Sequence, residues 1–123
     1  VVARLGSGGF LDTSFSGDGI ATVDFAGFPE GPAVVTAQSD GKVIIAGEAD
    51  FASGANSDYG VVRFNYDGSF DTTFGNGGKV SFDMIGEDYL RSVVVHNDPL
   101  CACEKIVVGG GGPGYVTFAR LLS

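Results

Sequence analysis

The chain contains no tryptophan, one histidine, one methionine, two cysteines and four prolines, and its seven Lys and Arg residues are outnumbered by fifteen Asp and Glu. Each shortage removes a class of explanation. A net charge of -8 repels phosphate backbones and anionic lipid surfaces, which sets aside nucleic acid and membrane as partners. No apolar run approaches the roughly 18 residues of a membrane helix, and Val1-Val2-Ala3-Arg4-Leu5-Gly6 lacks the basic-then-apolar order of a signal peptide. The chain therefore reads as soluble, and as unprocessed or already trimmed. With a single histidine, Ser-His-Asp or Cys-His chemistry would need His96 as its base, and nothing places a nucleophile beside it. Cys101 and Cys103 are one residue apart, so a bond between them would close a small ring without stapling the fold, and they do not identify a compartment. No segment keeps a helical period over ten or so residues.

What is abundant points the other way. Twenty-one glycines, ten Phe and four Tyr, with 44% apolar residues, suit short strands joined by turns that need positive φ. At 123 residues one domain, 1–123, is expected. Laid on itself, the chain repeats at about sixty residues. Arg4 aligns with Arg63, and the same step carries Leu5 to Phe64, Gly9 to Gly68, Leu11 to Phe70, Asp12 to Asp71, Thr13 to Thr72, Phe15 to Phe74, Gly19 to Gly78 and Asp24 to Asp83. Asp40 and Lys42-Val43-Ile44-Ile45 match Asp98 and Lys105-Ile106-Val107-Val108 once Pro99 to Cys103 are taken as a turn insertion. Tyr115 to Leu121 then echoes Tyr59 to Phe64. The repeats are set at about 1–58 and 59–114, with a third beginning at 115–123.

Within each unit, runs of five to eight residues rich in Val, Ile and Phe are bounded by Gly, Asp, Asn or Pro, the mark of strands. They predict strands near Val1–Leu5, Gly19–Phe25, Ala33–Gln38, Lys42–Ala49, Tyr59–Asn65, Gly78–Met84, Arg91–His96, Lys105–Gly110 and Tyr115–Leu122. The fold class expected is all-β, with two four-stranded blades of a β-propeller and one extra strand. Central strands such as Val43-Ile44-Ile45-Ala46 are nearly continuous in apolar character, as strands covered on both faces must be.

The run from Arg63-Phe64-Asn65-Tyr66-Asp67-Gly68-Ser69-Phe70-Asp71 to Gly78-Lys79-Val80, with Gln38-Ser39-Asp40-Gly41-Lys42-Val43-Ile44-Ile45-Ala46-Gly47, resembles the delta-60 repeat of bacterial proteins. That resemblance implies propeller-like blades in large, often secreted or cell-surface proteins, and transfers no catalytic residue. The first copy departs from it at Gly6 to Phe10, and the second at its cysteine-bearing insertion. Two blades cannot close a ring, so a homo-oligomer is expected, preferably a trimer, next a tetramer. The extra strand would then complete a blade begun by a neighbouring copy.

Repetition separates architecture from function. Asp12 and Asp71 are expected to accept turn N–H groups, with Arg4, Arg63 and Arg120 as bidentate partners for such carboxylates. Phe15 and Phe74 are expected as buried plugs between blades. Asn65, Asp67 and Asp71 offer hard oxygens for calcium, although the order of an EF-hand is missing. His96, Cys101 and Cys103, near Asp98 and Glu104, offer an imidazole and two thiolates for zinc or copper, at a spacing that matches no established finger. Gly109 to Gly114 resembles a phosphate cradle but lacks a following helix, so a hairpin connection is expected. The polar loop containing Asp50, Phe51, Asn56 and Asp58 is unique to the first repeat, and is where a carbohydrate or protein ligand would be touched. The expected function is a non-catalytic structural or binding module; a carbohydrate hydrolase or lyase and a metal-binding protein are the alternatives.

Overall fold

Gly-, Asp- and Asn-rich turns punctuate the β-branched runs closely enough that every run folds as a strand in the computed structural model, which describes residues 1–24, 30–49, 58–83 and 89–122. The nine strands are β1 (Val2–Ala3), β2 (Ile20–Ala21), β3 (Glu30–Ala37), β4 (Val43–Ala49), β5 (Asp58–Phe64), β6 (Lys79–Phe82), β7 (Tyr89–Asp98), β8 (Cys103–Gly111) and β9 (Thr117–Leu122), and no helix occurs among the described residues. All pairing is antiparallel between consecutive strands, in three sheets: β1-β2, β3-β4-β5-β6 and β7-β8-β9.

This grouping corrects the expectation of two four-stranded blades each coincident with a repeat. The single four-stranded sheet takes β3 and β4 from the first repeat and β5 and β6 from the second. A sequence period sets the length of the unit but not where its sheet begins. That phase is decided by which neighbouring strands hydrogen-bond, and β4 pairs along its whole length with β5 across the repeat boundary. The flanking sheets are partial blades of two and three strands.

The ladders keep the repeat in register. Val43 faces Phe64 and Ile44 faces Arg63, just as their counterparts Ile106 and Val107 face Leu121 and Arg120. Val2 faces Ala21 as Val61 faces Val80. Because paired residues share a face, each blade has two distinct apolar sides. One carries Val35, Val43, Ile45, Val62 and Phe64; the other carries Val34, Ile44, Ala46, Val61 and Val80.

The core consists of two clusters that repeat one interface. In the first, the Ile44-Ala46-Val61 side of the central sheet packs on Val93, Ile106, Val108, Ala119 and Leu121 of the β7-β8-β9 sheet. In the second, the Ile45-Val62-Phe64 side of the central sheet packs on Val2, Phe15, Ala21 and Val23 of the β1-β2 unit. Val2, Phe15, Ala21 and Val23 are the repeat counterparts of Val61, Phe74, Val80 and Phe82, which lie in the first cluster. The sheets are thus stacked front to back, twice over. Tyr59 adds a polar tie between blades, its hydroxyl lying 2.8 Å from Thr117 Oγ1.

Close approach of neighbouring backbone requires glycine at Gly110 and Gly68, among others. A Cβ on Gly110 would sit 2.0 Å from the Tyr89 carbonyl oxygen and 2.2 Å from the Tyr59 hydroxyl. Gly68 has φ +85°, and its Cβ would meet the Ser16 nitrogen at 2.6 Å, where that N–H donates to Asp67 O of the adjacent turn. Ile44 and Ile106 are fully buried on opposite sides of the first cluster. Truncating either to alanine is expected to lower the unfolding free energy by about 3 kcal/mol, through lost transfer energy and an unfilled cavity. Urea denaturation followed by circular dichroism measures this.

Candidate functional site

The turn after each β1- or β5-type strand is built around one arginine and one aspartate. Arg63 Nε donates to Asp71 Oδ2 at 2.8 Å, while Asp71 Oδ1 accepts from Thr73 N at 3.1 Å and from Thr73 Oγ1 at 2.6 Å. The first repeat copies this: Arg4 Nε donates to Asp12 Oδ2 at 2.9 Å, and Asp12 Oδ1 accepts from Ser14 N at 3.1 Å and Ser14 Oγ at 2.6 Å. The contact is one N–H to one oxygen, not the expected two-pronged fork, because the second carboxylate oxygen is already engaged by the turn. Each guanidinium also covers a ring, Arg63 over Phe74 at 4.7 Å and Arg4 over Phe15 at 4.8 Å. Both phenylalanines are buried. Arg4 reaches further, donating to the Tyr66 carbonyl and lying 4.4 Å from the Tyr66 ring.

The two turns differ in burial. Asp71 and Arg63 are buried in the central blade, and Lys42 Nζ adds a second cation 3.1 Å from Asp71 Oδ2. Burial opposes ionisation of Asp71, but hydrogen bonds from Thr73 and Lys42 and the charge of Arg63 outweigh it, holding this carboxyl well below its ordinary range. Asp12 is lowered by Ser14, and Asp67 by Ser69, which donates to Asp67 Oδ1 from its backbone at 3.0 Å and its hydroxyl at 2.6 Å. Asp67 and Asp71 therefore serve separate turns. Asn65 donates to Ser69 and to the Phe70 carbonyl, so all three residues offered as calcium ligands make turn contacts.

Cys101 and Cys103 form a disulfide, with Cα atoms 5.1 Å apart. In this structure the two sulfurs offered as thiolates are bonded to each other. His96 lies opposite Lys105 in the β7-β8 ladder, and among the described residues no three His, Cys, Asp or Glu side chains converge as metal ligands. Arg120 lies opposite Val107, with no carboxylate partner among the described residues. Gly109, Gly110 and Gly111 end β8, and β9 follows. Asp58 opens β5 opposite Ala49; Asp50, Phe51 and Asn56 lie outside the described residues.

A polar groove of about 260 Å³ lies between the central and third sheets, lined by Gln38, Ser39, Asp40, Lys42, Arg63 and Glu104. Glu104 accepts from Gln38 Nε2 at 2.9 Å and from Ser39 N at 3.0 Å, clamping one blade to the next. The Ser39 N–H is the main influence lowering its carboxyl, against some burial. Gln38 Oε1 is buried without a donor among the described residues. The sequence signal for this groove was partial: Asp40 and Lys42 stand in the repeat and Glu104 adjoins the insertion, but nothing linear brings them together.

Residues 38–74 match the family described as Domain of unknown function (DUF5122) beta-propeller. The matched stretch runs from the groove residue Gln38 through β4 and β5 to Phe74, so the match includes the whole Arg63–Asp71 turn and supports the resemblance to the delta-60 repeat. No curated protein and no solved structure gives a significant match.

Asp71→Asn is expected to destabilise the chain by about 3 kcal/mol, since buried Arg63 and half-buried Lys42 lose their counter-charge. Asp12→Asn, at the exposed turn, should cost far less. The unfolded chain takes up a proton on Asp71 before the folded chain does, so the contribution is complete above an ordinary carboxyl pKa of about 4 and lost as pH falls below it. Denaturation midpoints between neutral and acid pH check this: the wild-type chain should lose stability more steeply than Asp71→Asn.

Proposed function

We propose that the chain is a non-catalytic structural and binding module whose blades join those of further copies in a closed β-propeller. The observation that carries this reading is the front-to-back stack, in which one interface is used twice with corresponding residues. A contact between two different faces propagates, and when its rotation closes it makes a ring. Three copies would supply six blades and four would supply eight, within the usual range of about four to eight. Three is preferred.

The carboxylates favour binding over catalysis. Every resolved shift among the described residues lowers a carboxyl, at Asp12, Asp67, Asp71 and Glu104, and each of these accepts hydrogen bonds from turn or neighbouring-blade groups. A glycoside hydrolase needs instead one carboxylic acid held protonated near neutral pH. The groove between blades, with its two acidic side chains, its two cations and the Gln38 amide, suits hydroxyl-rich or peptide ligands through hydrogen bonds. A carbohydrate or protein ligand at an extracellular or cell surface fits this chemistry and the repeat family. The loop holding Asp50, Phe51 and Asn56 is the second surface proposed for such contact.

The test is an assay of the purified chain against a panel of plant and bacterial polysaccharides. Retention on a polysaccharide column without release of reducing or unsaturated ends is the expected result. Sustained turnover that disappears in Glu104→Gln or Asp40→Asn would replace the binding reading with a carbohydrate-active enzyme.

A further inference from the structure

Asparagine is followed by glycine once in the chain, at Asn76-Gly77, and aspartate is followed by glycine three times, at Asp18-Gly19, Asp40-Gly41 and Asp67-Gly68. Each pair has the atoms to close the same five-membered ring, in which the glycine nitrogen attacks the carbonyl carbon of the preceding side chain. Glycine leaves that nitrogen the least shielded, because it has no Cβ. The fold treats the four pairs differently.

In the three aspartate pairs both reacting groups are held. Gly19 N–H donates to Phe15 O at 2.7 Å, Gly41 N–H to Gln38 O at 3.0 Å and Gly68 N–H to Asn65 O at 3.0 Å. The carboxylates are engaged as well: Asp18 Oδ1 accepts from Ile20 N at 2.9 Å, Asp40 Oδ1 from Lys42 N at 3.1 Å and Asp67 Oδ1 from Ser69 N at 3.0 Å. At Asn76 neither group is held. Asn76 N donates to Lys79 O at 2.8 Å and Lys79 N to Asn76 O at 3.3 Å, around Gly77 at φ +62° and Gly78 at φ +94°. A primed two-residue turn of this kind leaves the N–H of its first central residue outside the ladder. Among the described residues, neither the Gly77 N–H nor the Asn76 carboxamide makes a hydrogen bond, and both residues are exposed. Two other asparagines are restrained: the Asn65 carboxamide donates to Ser69 and Phe70 ahead of bulky Tyr66, and Asn97 lies in β7 opposite Glu104.

We propose that Asn76 is a self-modification site, which converts in the folded chain through a cyclic imide to aspartate and isoaspartate, with water as the co-reactant. Gly77 N bonds to Asn76 Cγ and gives up its proton; the Cγ–Nδ2 bond breaks, and Nδ2 leaves as ammonia with a proton gained in exchange. Water then opens the ring. Breaking the bond from Gly77 N to Cγ yields aspartate, and breaking the bond from Gly77 N to the Asn76 backbone carbonyl carbon yields isoaspartate, whose main chain runs through the former side chain. Nothing is oxidised or reduced.

The isoaspartate product reaches into the central sheet. It lengthens the turn by one methylene and makes a carboxylate of the Asn76 carbonyl that accepts from Lys79 N. Lys79 opens β6 opposite Val62, donates through Nζ to the Asp24 carbonyl and lies 5.2 Å from the Phe70 ring. The modification therefore acts where the fourth strand of the central sheet begins and meets the first repeat.

The test is incubation of the purified chain in mildly alkaline buffer, folded and in urea, with peptide mapping by mass spectrometry and chromatographic separation of isoaspartyl peptides. In the folded chain, the mass change of ammonia exchanged for water is expected at Asn76 and is absent from that peptide in Asn76→Gln, where the ring would need a sixth member. Unfolding should speed isomerisation at Asp40 and Asp67 by roughly tenfold or more, because two hydrogen bonds no longer have to open first, and should change the rate at Asn76 by less than about threefold. An Asn76 that stays intact in the folded chain and converts only in urea overturns the proposal, since the turn would then protect it. Conversion at Asn65 or Asn97 ahead of Asn76 in the folded chain overturns it equally.

Discussion

A four-stranded sheet with apolar side chains on both faces has no stable existence in water unless both faces are covered. β3-β4-β5-β6 is such a sheet: Ile44, Ala46 and Val61 point one way, Ile45, Val62 and Phe64 the other, and all six are buried. The β1-β2 unit covers one side and the β7-β8-β9 sheet covers the other. At about 25 cal/mol per Å² of apolar surface removed from water, this two-sided burial outweighs any single polar contact in the chain. It also dictates the form of assembly. Each new sheet that covers one face brings another face of its own.

The polar architecture serves the same end. A blade edge must turn sharply from one strand to the next, and the Arg–Asp pair with its following Ser or Thr ties that turn with one charged contact and two turn hydrogen bonds. The rings of Phe15 and Phe74 lie beneath the guanidinium groups and inside the two core clusters. The charge network and the apolar stack are therefore joined at one residue per repeat. Burial makes the second copy of the network matter more, because a charge removed from water depends on its partner far more than a solvated one does.

The insertion between β7 and β8 departs from the repeat, and its chemistry is local. The disulfide between Cys101 and Cys103 links residues of one turn, and the next residue, Glu104, reaches the backbone of Ser39 and the amide of Gln38 on the adjacent blade. The segment thus holds a seam between sheets. The polar groove beside that seam combines residues from both blades, which is where a repeated scaffold acquires a surface that no single repeat encodes.

Strand number, strand position and the all-β class were legible in the chain, because period-two and continuous apolar runs between Gly, Asp and Asn turns are local properties of a few residues each. The equivalence of Arg4 with Arg63, Asp12 with Asp71 and Phe15 with Phe74 was equally legible, since repetition is a property of the sequence itself. Sheet phase was not: whether β4 closes one blade or continues into β5 depends on hydrogen bonds across a boundary that the repeat leaves unmarked. Nor was the second cation on Asp71 or the meeting of Glu104 with Gln38. Each of these depends on which surfaces come to face one another once the sheets stack, and stacking is driven by burial of area, a non-directional force that composition announces but only the packed chain resolves into particular neighbours.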